Sequence, residues 1–471
     1  MTSGITTVTV LEHCRVSPPL DHSVTEKLLH LTFFDIFWLN WPSVARVFFY
    51  DFPCSKSEFM QTIVPHLKKS LALTLKHYFP FCGNLITPTC LSNNTTPAIR
   101  YLNGDSISLI IAEFSGNTSH GFKHLSGDQD RDVDDLLALI PQLPPGYTNT
   151  TCEDDSTMCS PVLSVQVTLF PDQGFSIGFR NSHVIADGRS MSNFIRTWAC
   201  INAKQLMGVD EYDNTYTIDL PFYDRSVIKD PKGIASIFLR ECLQMASENS
   251  KAFPHVAQSK DLVQATFKMN RVQIQGLKNL VTAQYPYVST FVVACAYVWT
   301  CMAKARMVLG LKMNDENEVE NFIFMMDTRE RLDPPIPLNY FGNAALNCRC
   351  SLKSIQLVGE KEGFLNAVEE IRRALDEKIN NEEGVLKGFE TIFDVIKASK
   401  GRRKFGVAGS PKFDYYSTDF GWGKPSKYEV VSEKFGLVGS RDSDGSLEIG
   451  LCFSKDEMDV FTTIFTQGLM S

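Results

Sequence analysis

A chain of 471 residues exceeds the size at which a single hydrophobic core stops growing, so two domains with a cleft between them are expected. With 44% of residues in the AVILMFWYC set and 21% charged, disordered and fibrous classes are excluded. The formal net charge is −8 and no block of five or more Lys and Arg occurs, which argues against nucleic acid as a partner but leaves a small anionic ligand open.

Thirteen Cys are scattered without a CxxC pair, as reduced thiols of a cytoplasmic protein would be. The opening MTSGITTVTVLEHCRV lacks a basic segment followed by an apolar one, and no window holds 18 uninterrupted apolar residues, so neither secretion nor a membrane span is expected. The sequons at Asn93, Asn94, Asn117 and Asn149 then read as polar loop text. The 33 Phe fill cores, and some are available to line a slot for a flat aromatic ligand.

Ser55-Lys56-Ser57-Glu58 opens an amphipathic helix on which Leu67, Leu71 and Leu75 recur every fourth residue, ended by Pro80 and Gly83. Residues 98–101 and 106–112 read as a hairpin around Asn103-Gly104-Asp105. A second antiparallel pair, 162–170 and 175–179, is joined by Pro171-Asp172-Gln173-Gly174, and a helix resumes over 191–203. The polar, Pro- and Tyr-rich stretch 208–230 marks a crossover between an N-terminal domain, 1–207, and a C-terminal domain, 231–471. Beyond it the pattern predicts a strand at 262–269, a helix from about Gln273, an apolar helix capped by Ser289 and running to Arg306, and a strand at 321–326. A long helix over 360–379 and a strand at 446–453 before a closing helix complete the reading.

Directly after the second strand of the second pair comes Asn181-Ser182-His183-Val184-Ile185-Ala186-Asp187-Gly188-Arg189-Ser190. An imidazole with an ordinary pKa of about 6.5 is populated in its neutral form near neutral pH and can take a proton from a hydroxyl or thiol. Asp187 need not touch it; it can hold the loop by pairing with an arginine, while Gly188 permits a tight backbone. Two other readings stand beside this one: a His and Asp metal pair, which needs a third ligand, and a buried histidine that is merely satisfied. No Gly-x-Ser-x-Gly elbow, Walker loop or GxGxxG is present. Spacing alone leaves the matter open.

His183-Val184-Ile185-Ala186-Asp187-Gly188 resembles the HxxxD(G) signature of the plant acyl-CoA-dependent acyltransferases called the BAHD family, and Asp419-Phe420-Gly421-Trp422-Gly423 resembles its DFGWG signature. Leu31-Thr32-Phe33-Phe34-Asp35 fits as well. Asn339-Tyr340-Phe341-Gly342-Asn343-Ala344 is similar to the YFGNC motif of the clade that acylates anthocyanin and other phenolic glucosides, with Ala344 standing where that motif carries Cys. Residues 327–335 and 409–412 also look like malonyltransferase text.

The resemblance implies an α/β fold of two chloramphenicol acetyltransferase-like domains, each a mixed sheet with helices, with a solvent channel between them. It implies His183 as general base, Asp187 and Gly188 as residues that orient its loop, Arg329 or else Arg331 as the partner of Asp187, and Asp419, Gly421, Trp422 and Gly423 as a structural turn. Tyr340, Asn343 and Ser410 are expected at the substrates. A malonyl donor would need a cation, for which Arg180 and Arg189 are the candidates nearest in sequence. No metal, bound cofactor or covalent acyl-enzyme is implied: an acyl-CoA, most simply malonyl-CoA, is a co-substrate, and the acceptor is a sugar hydroxyl of a phenolic glucoside. A monomer is expected. The alternatives are an acetyl or hydroxycinnamoyl donor, a different alcohol or an amine acceptor, or a non-catalytic relative that binds CoA esters or phenolics.

Overall fold

The computed structural model describes residues 8–470 apart from 22, 24, 89–95, 117–120, 145–146, 149–156, 209–218, 249–260, 311–317 and 443–444. The four sequons and residues 209–218 of the crossover lie outside the described residues.

Leu163–Phe170 (LSVQVTLF) is buried along its whole length, as a central strand should be, and pairs antiparallel with Gly174–Asn181 and parallel with Ile107–Phe114. These strands belong to a six-stranded sheet whose order is Val8–Val16, Ile107–Phe114, Leu163–Phe170, Gly174–Asn181, Val44–Tyr50 and Lys427–Val431. On one face Val47 and Phe49 pack with Leu136 and Leu139. On the other, Phe179 meets Trp198 of the Gly188–Leu206 helix edge to face. That helix follows the His183 turn at once.

The C-terminal half builds a four-stranded sheet in the order Phe435–Gly439, Leu447–Ser454, Leu262–Met269 and Arg131–Asp132. A bridge between Ala408 and Gly436 ties it to a three-stranded sheet of Ala345–Lys353, Val319–Asp327 and Arg403–Gly406. The Thr290–Val308 helix is long and apolar enough to cross a membrane, yet it is largely buried here, with Trp299 stacked on Phe322. It is a core helix.

The two halves exchange strands. Lys427–Val431 completes the N-terminal sheet beside Val44–Tyr50, while Arg131–Asp132 pairs with Leu262–Met269. A buried ion pair locks the exchange: Arg131 Nη2 lies 2.8 Å from Glu429 Oε1, and Glu429 also accepts from Thr266 Oγ1 and Gln264 Nε2. Burial pushes the Glu429 carboxyl up, but the Arg131 and Lys427 charges outweigh it and hold the group below its ordinary range.

The expected hairpin at 98–112 is not one. Asn103-Gly104-Asp105 does reverse the chain, with Gly104 at φ 96° and the Asp105 amide donating to Leu102 O. However, Ala98–Leu102 is already flanked on both edges by Glu26–His30 and Asn84–Pro88 in a separate five-stranded sheet. Ile107–Phe114 is likewise flanked by Val8–Val16 and Leu163–Phe170. The turn passes the chain from one sheet to another.

Candidate active site

His183 sits two residues past the end of Gly174–Asn181, in the turn that leads into the Gly188–Leu206 helix. One face of its imidazole lies against the indole of Trp38, with ring centroids 3.7 Å apart and planes within 11°. Its Nδ1 is 3.2 Å from Asn343 Oδ1. The amide orientation follows from what surrounds the other atom: Asn343 Nδ2 points at His183 O, Val184 O and Asp35 Oδ1, which are all acceptors. Asn343 Oδ1 is therefore an acceptor toward the ring, so Nδ1 carries the proton and Nε2 presents a lone pair. Burial, with the charge of Arg46 adding to it, pulls the imidazole down to about 4, so the ring is neutral at physiological pH.

Asp35 anchors this arrangement from the N-terminal half. Its Oδ1 accepts from the backbone and side-chain amides of Asn343, and its Oδ2 accepts from the amide and hydroxyl of Thr32. Arg225 reaches the same carboxylate at 3.7 Å and donates to Phe341 O and the Tyr340 hydroxyl. Arg225 comes from the crossover segment, which runs beside the loop through a Phe222 to Tyr340 bridge.

Asp187 is engaged by groups other than the imidazole. It caps the helix by accepting from the Ser190 amide, and its other oxygen accepts from the Ala344 amide and lies 2.8 Å from Arg329 Nη1. Burial favours the neutral acid, but Arg329 outweighs it and holds the carboxyl below its ordinary value. Arg329, itself buried, also donates from Nη2 to Ser190 Oγ and to Tyr340 O and Gly342 O. Gly342 adopts φ 130°, and a Cβ there would meet Arg225 Nη1 at 2.2 Å. The helix start and the 340–344 loop are thus stapled together across the two halves, and the imidazole is held at the staple. Among the described residues no group of three or more His, Cys, Asp and Glu converges on one point.

A model of the Transferase family matches residues 6–467. The chain is 38% identical over 477 residues to a malonyl-coenzyme A:anthocyanin 3-O-glucoside-6''-O-malonyltransferase of Dahlia pinnata, covering 99% of each chain. It is 40% identical to phenolic glucoside malonyltransferase 1 of Nicotiana tabacum over 478 residues, 98% of this chain and 99% of that one. The chain belongs to the BAHD acyltransferase family. Vinorine synthase has the same two-domain fold, with a TM-score of 0.66 at 19% identity over 96% of both chains. The protein is an acyltransferase.

Several residues singled out from the sequence of this BAHD chain have partners other than the imidazole. Arg180 donates from Nε to Pro141 O at 2.7 Å, and Arg189 is paired with Asp327 Oδ2 at 2.9 Å. Tyr340 is buried under Arg225 and Arg329, its phenol pushed up to about 12 by burial. Ser410 Oγ accepts from the Lys412 amide in the loop after Gly409. Arg331 donates to Asp327 O. Asp419 Oδ1 accepts from the amides of Gly421 and Gly423, closing a turn around Trp422, which packs on Phe175. Phe420 packs edge to face on Trp198, and its carbonyl accepts from Asn202, so the DFGWG turn rests on the far end of the same helix. Trp38, Ser190 and Arg225 are given no role by a reading of sequence alone, and Asp35 enters it only within the stretch 31–35, with no partner assigned. Only Asp35 had a local signal, the Thr32 to Asp35 spacing of a capping box.

Proposed function

We propose that this BAHD protein transfers a malonyl group from malonyl-CoA to a sugar hydroxyl of an anthocyanin or other phenolic glucoside, acting as a cytoplasmic monomer. His183 Nε2 removes the proton of the sugar hydroxyl as the oxygen attacks the thioester carbonyl. The tetrahedral intermediate collapses with cleavage of the carbon–sulfur bond, and the CoA thiolate takes the proton from the imidazolium. The products are an ester and free CoA, and the imidazole returns to its starting state. Fixing both substrates beside one base removes translational freedom, and the base itself is worth about 10² to 10⁴ in rate.

The observation that carries the reading is the imidazole whose Nδ1 proton is committed to Asn343, which leaves Nε2 as the only basic nitrogen. Likeness over nearly the full length to enzymes named as malonyltransferases of anthocyanin and phenolic glucosides supports the donor and acceptor class. The test is incubation of the purified chain with malonyl-, acetyl- and hydroxycinnamoyl-CoA and a panel of phenolic glucosides, read by mass spectrometry. The expected product is a glucoside heavier by one malonyl group, with no change in the free aglycone. Transfer of another acyl group in preference, or acylation of the aglycone, contradicts the proposal.

A further inference from the structure

Arg403–Gly406 is the edge strand of its sheet, paired with Val319–Asp327. It is linked to the neighbouring sheet at Ala408, whose amide donates to Phe435 O and whose carbonyl accepts from the Leu437 amide. Upstream of that link the two sheets part and leave a cavity of about 430 Å³, lined by Arg306, Arg402, Arg403, Lys404, Lys434 and Glu457. The cavity lies at the far end of Val319–Asp327 from the histidine staple. Arg403 sits beside Glu320, whereas Asp327, about 23 Å further along the strand, contacts Arg189 and Arg329.

Two of the cations in this lining are neutralised. Arg306 Nη1 lies 2.8 Å from Glu320 Oε2, and Arg403 pairs through Nε with Glu318 and through Nη1 with Glu320. The one carboxylate in the lining, Glu457, accepts from the hydroxyl and amide of Ser454, and Glu433, the neighbour of Lys434, does not line the cavity. Arg402, Lys404 and Lys434 meet no carboxylate within ion-pair distance among the described residues. Arg402 and Lys434 are exposed, and Lys404 is half-buried. Burial, with the charge of Arg349 adding to it, pulls the Lys404 ammonium below its ordinary value. An anion in the cavity would offset both effects.

We propose that this cavity is a binding site, separate from the transfer site, for the diphosphate group of a nucleotide-sized ligand, held by Arg402, Lys404 and Lys434. Its volume falls in the range of small-ligand pockets, about 300 to 1,000 Å³. A phosphate group carries a charge of about −1.5 to −2 and several strong acceptor oxygens. Two ammonium groups and one guanidinium can meet these without drawing Arg306 and Arg403 from their glutamates, whereas a single carboxylate would leave most of the positive charge unmatched. Among the described residues no aromatic or aliphatic side chain lines the space, so recognition falls on the phosphates and not on the base.

The experiment titrates the full-length protein with pyrophosphate, ADP and UDP by calorimetry, in the wild type, Lys404→Gln, Lys434→Gln and Arg402→Gln. Thermal melting and the KM for the acyl-CoA donor are measured on each. The wild type should show a saturable site of similar affinity for all three probes, weakened about 10-fold or more in Lys404→Gln and Lys434→Gln, the worth of a charge-assisted contact, while the donor KM stays unchanged. Binding that is equal in the wild type and in the folded variants overturns the assignment. A wild type that binds none of the probes also overturns it, and leaves the cluster a solvated face. A donor KM that rises in step with the loss of binding does so too, because the three cations would then hold the phosphates of the CoA thioester. A marked preference for one nucleotide over pyrophosphate contradicts recognition through the phosphates. Should Lys404→Gln fail to fold, Lys434→Gln and Arg402→Gln, at exposed positions, carry the same comparison.

Discussion

Asn343 Oδ1 faces His183 Nδ1 across 3.2 Å, while Asn343 Nδ2 faces Asp35 Oδ1 at 3.0 Å. An aspartate from the N-terminal half thereby sets the tautomer of the imidazole through an asparagine from the C-terminal half. The order of these groups matters more than their charges, since the amide in the middle passes on orientation and not a proton.

Breaking that order without removing the base should lower turnover more than binding. Asn343→Leu leaves Nδ1 without an acceptor, so either tautomer becomes available and the ring loses its restraint. We expect kcat to fall about 10- to 100-fold with little change in KM for either substrate. Asn343→Asp instead places a carboxylate beside the ring, which raises the imidazole pKa and moves the acid limb of the pH–rate profile upward. Steady-state kinetics of CoA release across pH measure both effects.

The wild-type pH profile carries its own signature. The folded pKa of His183 is lowered to about 4, so the neutral imidazole, the form proposed to act as base, is lost only as pH falls through that region. The kcat/KM profile should therefore be flat from about pH 6 to 8 as far as this group is concerned. An acid limb centred on the ordinary histidine value of about 6.5 would contradict the burial of the ring. The same shift works against stability in acid. Below the unfolded pKa the unfolded chain binds a proton that the folded protein does not, so the His183 contribution to stability declines as pH drops from the ordinary value toward the folded one.

Asp187 is a stability residue as well as a positioning one. Asp187→Asn leaves the Arg329 guanidinium buried beside a neutral amide, with Asp327 at 3.2 Å as its remaining carboxylate. We expect a loss of about 3 kcal/mol or more, read as a lower midpoint in denaturant. A double-mutant cycle with Arg329→Met should return a large coupling energy, and additive losses would show that the two side chains act independently.

Gly342→Ala probes the staple from the backbone side. The position requires φ 130°, and the added methyl would meet Arg225, which is itself fixed by Phe341 O and Tyr340. A destabilisation of about 1 to 3 kcal/mol is expected, together with reduced kcat, since Asn343 is the next residue. Thermal melting and initial rates on the same preparation check it.

The fold was legible where a local pattern carries the information. The Thr290–Val308 helix announces itself through Ser289, whose hydroxyl accepts from the Val292 amide, and the Leu163–Phe170 and Gly174–Asn181 pair through a short turn between two apolar runs. The 103–105 turn shows the limit: Asn-Gly-Asp specifies a reversal but not which strands lie on either side of it. Strand exchange by Lys427–Val431 and Arg131–Asp132 left no local trace for the same reason, since pairing is decided by edges far away in sequence. At the site, His183 and Asp187 stand out because a short signature contains both. Arg225 meets its partners Asp35, Tyr340 and Phe341 only through the fold, and nothing in the text around it marks it as their neighbour.

The account rests on one nitrogen, and replacing the ring tests it most directly. Mass-spectrometric measurement of malonyl transfer to a phenolic glucoside by His183→Ala, with thermal melting to confirm folding, should show the rate reduced by about 10² to 10⁴ while malonyl-CoA still binds. A folded His183→Ala protein that malonylates the glucoside at the wild-type rate would contradict it.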